Sequence, residues 1–201
     1  ASLVPAVQQL YSEQVAVLQS FPSCYARYQG EVEVFDGSAW GLDFSKKILL
    51  CPGSAFKYPY DAAAMYAEIA ARVQEHDTQL VFFEDAPHIF SLLKARLQQA
   101  FAEKGVGQQL VFCPWLSRAQ YQYLMTRSCL LLDSLGFSGF NTVMQALDVD
   151  LPVVTVRGDL LRGRLGSGVL DAAGLGDWVA ESQEAYMALA VQLVQDAPLR
   201  Q

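Results

Sequence analysis

Two short stretches of the chain carry residue types suited to holding a phosphate. Residues 134–142, SLGFSGFNT, follow an apolar run that ends in Asp133, and their two glycines let the backbone approach a ligand closely. Asn141 or a neighbour is expected to cap a helix there, so that free N–H groups and the helix dipole point at one spot. Lys57, in PGSAFKYP, is a cation with three hydrogen-bond donors. Plain helix capping and a solvated loop lysine are the alternative explanations.

A parallel sheet is needed to bring these stretches together. From Lys46 onwards, apolar runs of strand length alternate with helical patterns, which is typical of βαβ units in a Rossmann-like α/β fold with helices on both faces. Strands are predicted at residues 48–51, 80–83, 110–113, 129–133 and 153–156. Helices are predicted at residues 61–74, 87–104, 117–126, 142–147, 160–173 and 182–195. Ligands of such sheets bind beyond the carboxyl ends of the strands, so the loops 52–59, 114–121 and 134–142 are candidates for function.

The first part of the chain has a different character. Residues 1–45 are predicted to contain a helix at 4–18 and a small β element at 31–35, whereas residues 46–201 form the Rossmann-like unit. The chain starts at Ala1 and not at Met, so we expect it to be a piece of a longer protein. Residues 1–45 are too few to form a second lobe, but they could be the trailing edge of one.

Composition excludes several classes of function. The formal net charge is −7 and lysines and arginines are scattered singly, which argues against a nucleic-acid partner. No apolar run approaches the roughly 20 residues that a membrane span needs, and no signal peptide is recognisable, so a cytoplasmic location is predicted. The four cysteines lack zinc-site spacing, and no metal site is predicted.

Other catalytic patterns are weak or missing. There is no P-loop, and the glycines do not form the dinucleotide fingerprint, so an oxidoreductase is only weakly supported. Asp148 and Asp150 have the spacing of a metal-binding pair but fall at a helix end, where turn chemistry explains them. The two histidines are isolated, and no hydrolytic triad can be built. Arg162 and Arg164 could reach an anionic ligand, or brace the loops by pairing with Asp133 or Asp159, and bracing is expected for at least one of them.

Residues 132–170 closely resemble the C-terminal catalytic lobe of O-GlcNAc transferase and SPINDLY-type enzymes. This run, LDSLGFSGFNTVMQALDVDLPVVTVRGDLLRGRLGSGVL, matches the family pattern of Leu-Asp, a glycine loop, Asn/Thr-Thr, a Pro-x-Val-Thr strand and Ser/Gly-Arg. The tail GLGDWVAESQEAYMALAVQLVQD is similar to the family's ending. Upstream, CPGSAFKYP resembles the segment with the family's lysine, and VFCPWLSRAQYQYL resembles its nucleotide loop. The resemblance extends over residues 46–200.

The resemblance implies the donor-binding lobe of a protein glycosyltransferase with the two-lobed B-type fold. The implied donor is UDP-GlcNAc or another UDP-hexose, although SPINDLY-type relatives use GDP-fucose, and such enzymes usually need no metal. The implied acceptor is a polypeptide side chain. The N-terminal lobe, the acceptor site and any helical repeats would lie outside this chain, which alone would be an inactive half.

The resemblance also implies the roles of individual residues. Lys57 would contact the diphosphate and offset the charge that develops on it as it leaves, which makes Lys57 the catalytic candidate. The residues carried over as donor-binding are Ser54, Pro114, Arg118, Tyr121, Gly139, Phe140, Asn141, Thr142 and Gln145. Several differ from the family pattern: Phe140-Asn141-Thr142 replaces His-Thr-Thr, Tyr121 replaces a histidine, Arg118 a lysine, and Gln145 the aspartate that binds the ribose. These changes motivate the alternative of a degenerate, non-catalytic interaction domain.

Overall fold

The computed structural model describes residues 8–16 and 24–200, and its centre is a parallel six-stranded sheet. The strands are β1 Lys47–Cys51, β2 Thr78–Glu84, β3 Leu110–Pro114, β4 Leu130–Leu132, β5 Val153–Val156 and β6 Val179–Ala180. The α-helices within these ranges are α1 Ala62–Arg72, α2 Pro87–Glu103, α3 Arg118–Arg127, α4 Asn141–Leu147, α5 Leu165–Ala172 and α6 Gln183–Gln195. The predicted Rossmann-like α/β fold is confirmed.

The strand order is β3-β2-β1-β4-β5-β6. The chain builds the sheet in one direction from β1 to β3 and then returns past β1 to add β4, β5 and β6. The loops that follow β1 and β4 therefore leave toward opposite faces of the sheet. A crevice opens at this switch point beyond the carboxyl ends of the strands, which is where ligands of doubly wound sheets bind.

Both faces of the sheet are buried, and β1 shows why its sequence is almost entirely apolar. Leu49 and Cys51 face a cluster that contains side chains of α1, α2 and α6. Ile48 and Leu50 face the opposite cluster, which contains side chains of α3, α4 and α5. All four residues are fully inaccessible to solvent. This two-sided core fixes the sheet and, with it, the positions of the loops at its carboxyl edge.

Two elements after the switch point differ from the prediction. Strand β6 was not predicted, because its two residues are too few to show a hydrophobic pattern. The helix predicted at 160–173 begins only at Leu165, and a 3₁₀ turn, Leu161–Gly163, precedes it. This turn brings two glycine backbones together: a Cβ on Gly158 would lie 2.7 Å from the carbonyl oxygen of Gly163. Because these two backbones lie so close together, residues 158–163 are not part of the α-helix.

The N-terminal predictions are mostly not confirmed. Residues 4–7 and 17–18 of the predicted helix 4–18 lie outside the described residues, and residues 9–16 form turns and irregular chain. The β element predicted at 31–35 is wrong, since none of these residues belongs to a strand. Val32 and Val34 remain 45% and 72% exposed, so the alternating pattern has no buried face that would hold it in a sheet. No helix in the described part of the chain is long and apolar enough to span a membrane.

Candidate functional site

A buried carboxylate, Asp133, organises the glycine turn that follows β4. Its oxygens accept hydrogen bonds from the backbone N–H groups of Ser134 (3.0 Å) and Gly139 (2.8 Å). They also accept from the hydroxyls of Thr155 (2.7 Å) and Ser138. The Asp133 side chain therefore accepts hydrogen bonds from both ends of the turn, and its hydrogen bond with Thr155 connects the turn to β5. The apolar run ending in an aspartate was the sequence signal for this arrangement.

Two further helices are tied to this Asp133 cluster. The N–H of Gly166, at the start of α5, donates to the Ser138 hydroxyl at 2.7 Å. The hydroxyl of Tyr186, on α6, donates to the Asp133 carbonyl at 2.9 Å. Burial raises the pKa of Asp133, while the hydrogen bonds from Ser138, Gly139 and other donors act in the opposite direction. The Asp133 cluster is therefore a closely packed polar network with little space for an added side-chain atom.

Replacing Gly166 by alanine should destabilise the protein by about 2 kcal/mol, because the added methyl would overpack this cluster. A Cβ there would lie 2.5 Å from the Ser138 hydroxyl and 2.6 Å from an Asp133 oxygen. Gly168 on the same helix is the matched control, since its Cβ would meet nothing within 4 Å. Gly168→Ala should stabilise by up to about 1 kcal/mol through helix propensity. Urea unfolding measures both, and equal effects of the two variants would contradict the packing argument.

A cavity of about 250 Å³ lies beyond the carboxyl edge of the sheet, between α3 and α4. We call it the α3–α4 cavity, and its lining residues are Pro52, Phe83, Trp115, Leu116, Arg118, Tyr121, Thr142 and Gln145. Four of the predicted binding residues are among them. Aromatic and aliphatic walls with a few polar groups are typical of a site for a small organic ligand.

The α3 side of this cavity offers unused hydrogen-bonding groups. Helix α3 starts at the predicted N-cap, Ser117, which forms a capping box with Gln120. Within the described residues, the Arg118 guanidinium makes no hydrogen bond or ion pair; it lies 4.7 Å from the centre of the Tyr28 ring. The Tyr121 hydroxyl is buried and has no hydrogen-bond partner among the described residues, and burial raises its pKa. Unpaired buried polar groups are costly, so a ligand in this cavity would gain by pairing with them.

Lys57 lies in a second pocket, of about 470 Å³, between the loop after β1 and the glycine turn. We call it the Lys57 pocket, and its lining residues are Phe56, Lys57, Pro59, Asp61, Ala62, Leu135, Gly136, Phe137, Arg162 and Gln183. The Lys57 ammonium lies 4.8 Å from the centre of the Phe137 ring. Among the described residues it has no carboxylate within ion-pair distance, so its charge is available to an anion.

The predicted site residues thus divide between two neighbouring pockets. Arg118, Tyr121, Thr142 and Gln145 line the α3–α4 cavity, whereas Lys57 lines the other. The remaining predicted residues lie on the connecting loops: Ser54 accepts the Lys57 N–H at 2.9 Å, Pro114 ends β3, and Gly139, Phe140 and Asn141 lead into α4.

The start of α4 differs in detail from the expectation. Phe140 occupies the N-cap position and Asn141 is the first helical residue, so the side-chain cap expected from Asn141 or a neighbour is not formed. Helix α4 has seven residues, and its macrodipole is correspondingly small. Its first N–H groups still lack intrahelical acceptors, as at any helix start. The two pockets, more than the helix dipole, define this candidate site.

Sequence reasoning missed the full surroundings of Lys57. The sequence did not indicate that Phe137 would lie under the ammonium, because the turn around Asp133 places its ring there. Arg162 was expected to brace the loops or reach a ligand. Among the described residues its side chain pairs with no aspartate, and its carbonyl accepts the Ser138 N–H at 2.8 Å. Arg162 lines the Lys57 pocket, so two basic residues and one acidic residue, Asp61, border that space.

Comparisons with known proteins agree with this architecture, although no family model matches the chain. A probable UDP-N-acetylglucosamine–peptide N-acetylglucosaminyltransferase SPINDLY from Eustoma exaltatum subsp. russellianum is 35% identical over 65 residues, which are 32% of this chain and 7% of that protein. A mutant O-GlcNAc transferase from Thermobaculum terrenum is 26% identical, with a TM-score of 0.67, over 79% of this chain and 31% of that one.

More distant structures share the fold alone. TarM of S. aureus, in complex with UDP, alpha-GlcNAc-glycerol and fondaparinux, is 13% identical with a TM-score of 0.62 over 98% of this chain and 36% of that one. The UDP-GlcNAc 2-epimerase of Neisseria meningitidis, bound to UDP-GlcNAc, is 15% identical with a TM-score of 0.55 over 77% and 37%. The chain therefore spans about a third or less of these proteins. In sequence and in fold it resembles the O-GlcNAc transferase and SPINDLY-type enzymes, and it has the architecture of one lobe of a B-type glycosyltransferase.

Proposed function

We propose that this chain is the donor-binding lobe of a protein O-glycosyltransferase that transfers a sugar, GlcNAc from UDP-GlcNAc, to a polypeptide side chain. The observation that carries the proposal is the pair of pockets at the switch point of the sheet, one with aromatic walls and one with unpaired cations. A nucleotide sugar has the same two parts, a flat base with its ribose and a charged diphosphate.

The nucleoside is assigned to the α3–α4 cavity. Phe83, Trp115 and Tyr121 offer aromatic surface to a base, and Thr142 and Gln145 offer hydrogen-bonding groups to a ribose. At about 250 Å³ the cavity lies slightly below the usual range for a site that holds a whole ligand. That size suits the nucleoside part, with the diphosphate extending toward the Lys57 pocket.

The diphosphate is assigned to the turn at Gly139 and to Lys57. A leaving diphosphate gains negative charge as the bond to the sugar breaks, and a fixed cation stabilises that charge most where water is excluded. Lys57 is held over Phe137 with no carboxylate of the described residues within ion-pair distance, and Arg162 borders the same pocket. Function without a metal is part of this proposal, since these two cations would supply the positive charge.

The proposal includes a second lobe that closes over this edge of the sheet. Large apolar side chains are exposed on the loops beyond the strands: Phe56 at 61%, Tyr60 at 85%, Trp115 at 69% and Leu161 at 66%. Such a concentration around a pocket is typical of a surface that contacts another domain. The polypeptide acceptor, the helical repeats and the cytoplasmic location are proposed from the resemblance alone.

Trp115 gives a direct test of the nucleoside assignment. UDP should change Trp115 fluorescence, because a base in the α3–α4 cavity would stack near an indole that is now largely exposed. Titration of UDP against the wild type and a Trp115→Phe variant measures this. The response should disappear in Trp115→Phe and persist in the matched control Trp178→Phe, whose side chain lies near α5 and β5. A response that persists in Trp115→Phe and disappears in the control would contradict the assignment.

One observation favours the alternative of a degenerate, non-catalytic domain. Gln145 stands where the related enzymes have a ribose-binding aspartate, and a neutral amide binds ribose hydroxyls more weakly than a carboxylate does. If the wild type bound no nucleotide and Gln145→Asp created binding, a lobe that had lost its donor site would be the better account.

A further inference from the structure

Residues 24–35 form a segment, here called the strap, that crosses from the end of α4 to the start of α3. Near α4, the N–H of Tyr28 donates to an Asp148 oxygen at 2.9 Å. The Arg27 guanidinium lies 3.4 Å from the other oxygen of the same carboxylate. Asp148 follows the last residue of α4, so this contact fixes the strap to the far end of one wall of the α3–α4 cavity.

The other end of the strap is fixed to α3. The Glu33 carboxylate accepts a hydrogen bond from the Gln120 amide at 2.8 Å and one from the Ser117 hydroxyl at 3.3 Å. The backbone N–H of Glu33 donates to the Ala119 carbonyl at 3.3 Å. The strap therefore links the two helices that form the polar walls of the cavity.

Between these anchors, Tyr28 supports Arg118. The guanidinium lies 4.7 Å from the centre of the Tyr28 ring, within the range of a cation–π contact. A guanidinium that lies against a ring keeps its N–H edge available, and within the described residues Arg118 donates to no other group. An exposed arginine loses much side-chain freedom when it binds a ligand. Contact with Tyr28 removes part of that freedom beforehand, so less is lost on binding.

We propose that the strap belongs to the donor site and that Tyr28 is a positioning residue, which orients Arg118 toward the base of a uridine nucleotide. Uracil presents carbonyl oxygens that can accept hydrogen bonds from a guanidinium. This inference rests on the proposed function. It separates two contributions: the strap governs recognition of the nucleoside, whereas Lys57 binds the diphosphate whatever the base.

The experiment compares UDP with inorganic pyrophosphate, a probe that lacks the nucleoside, by calorimetry. Tyr28→Ala should weaken UDP binding about threefold to tenfold, as loss of a cation–π contact predicts, and leave pyrophosphate binding unchanged. Tyr28→Phe keeps the ring and should retain wild-type affinity. Val34→Ala is the matched control on the strap, since Val34 is 72% exposed.

Thermal unfolding of each variant shows whether it is folded. Equal weakening of UDP and pyrophosphate in Tyr28→Ala would overturn the inference, as would unchanged or tighter UDP binding, because the strap would then have no positioning role. A Tyr28→Phe variant as weak as Tyr28→Ala would also overturn it. If the wild type bound pyrophosphate but showed no preference for UDP, the inference and the nucleoside assignment would both be wrong. If the wild type preferred UDP and the strap variants kept that preference, the inference alone would be wrong and the nucleoside assignment would stand.

Discussion

Replacement of Lys57 by alanine is expected to weaken UDP binding about tenfold to a hundredfold. A hydrogen bond to a charged group contributes about 1.5–3 kcal/mol, and each 1.4 kcal/mol is a factor of ten in the dissociation constant. The Lys57 ammonium has no ion-pair partner among the described residues, so its charge is not already neutralised. Isothermal titration calorimetry with UDP measures the change directly.

The control for Lys57 lies at the opposite end of the same strand. Lys46 precedes β1, whereas Lys57 follows it, so Lys46→Ala removes the same charge from the protein away from the carboxyl edge of the sheet. We expect Lys46→Ala to bind UDP as the wild type does. Equal weakening by the two variants would mean that general electrostatic attraction, and not a contact of Lys57 with the diphosphate, accounts for the effect.

Replacement of Asp133 by alanine is expected to destabilise the protein by about 3 kcal/mol or more. The change leaves two backbone N–H groups and two hydroxyls without their acceptor in a buried site, and each unsatisfied group costs about 1–3 kcal/mol. Urea unfolding measures the loss. Asp159→Ala, at an exposed carboxylate, should change stability by less than about 0.5 kcal/mol. A similar small effect at Asp133 would show that the cluster does not hold the turn.

The pH dependence of stability is a second test of the burial of Asp133. Because burial raises its folded-state pKa above the ordinary value of 3.8, the folded protein binds the proton more tightly than the unfolded chain does. The contribution of Asp133 to stability is therefore full below about pH 3.8 and declines as the pH rises through the folded-state pKa. Asp133→Asn has no such titration. The stability of the wild type relative to Asp133→Asn should decrease over this range.

The parts of the fold that could be predicted have strong local signals. The stretch from Ile48 to Cys51 is apolar throughout and is followed by Pro52 and Gly53, which together indicate a strand buried on both faces. Ser117 begins a helix because its side chain and that of Gln120 cap each other within one turn. In both cases residues adjacent in sequence decide the structure, so the sequence alone suffices.

The parts that were missed depend on contacts between distant residues. The alternation at Glu31–Phe35 looks like a strand, but Glu33 binds the start of α3 and no neighbouring strand is available there. Likewise, Tyr28 and Asp148 are 120 residues apart, and no local sequence pattern predicts their hydrogen bond. The candidate binding residues were predicted from the resemblance, whereas their division between two pockets and their support by the strap follow from tertiary packing.

The central claim, that this chain is a donor-binding lobe, is tested most directly by calorimetric titration of the chain with UDP, GDP and their sugar conjugates. The account predicts saturable binding of UDP and UDP-GlcNAc in preference to the guanosine nucleotides, with UDP binding weakened at least tenfold in Lys57→Ala, the lower end of the range expected for this contact. Repetition with the full-length parent protein shows whether a second lobe strengthens the binding. If neither the chain nor the parent protein bound any of these nucleotides, the claim would be contradicted.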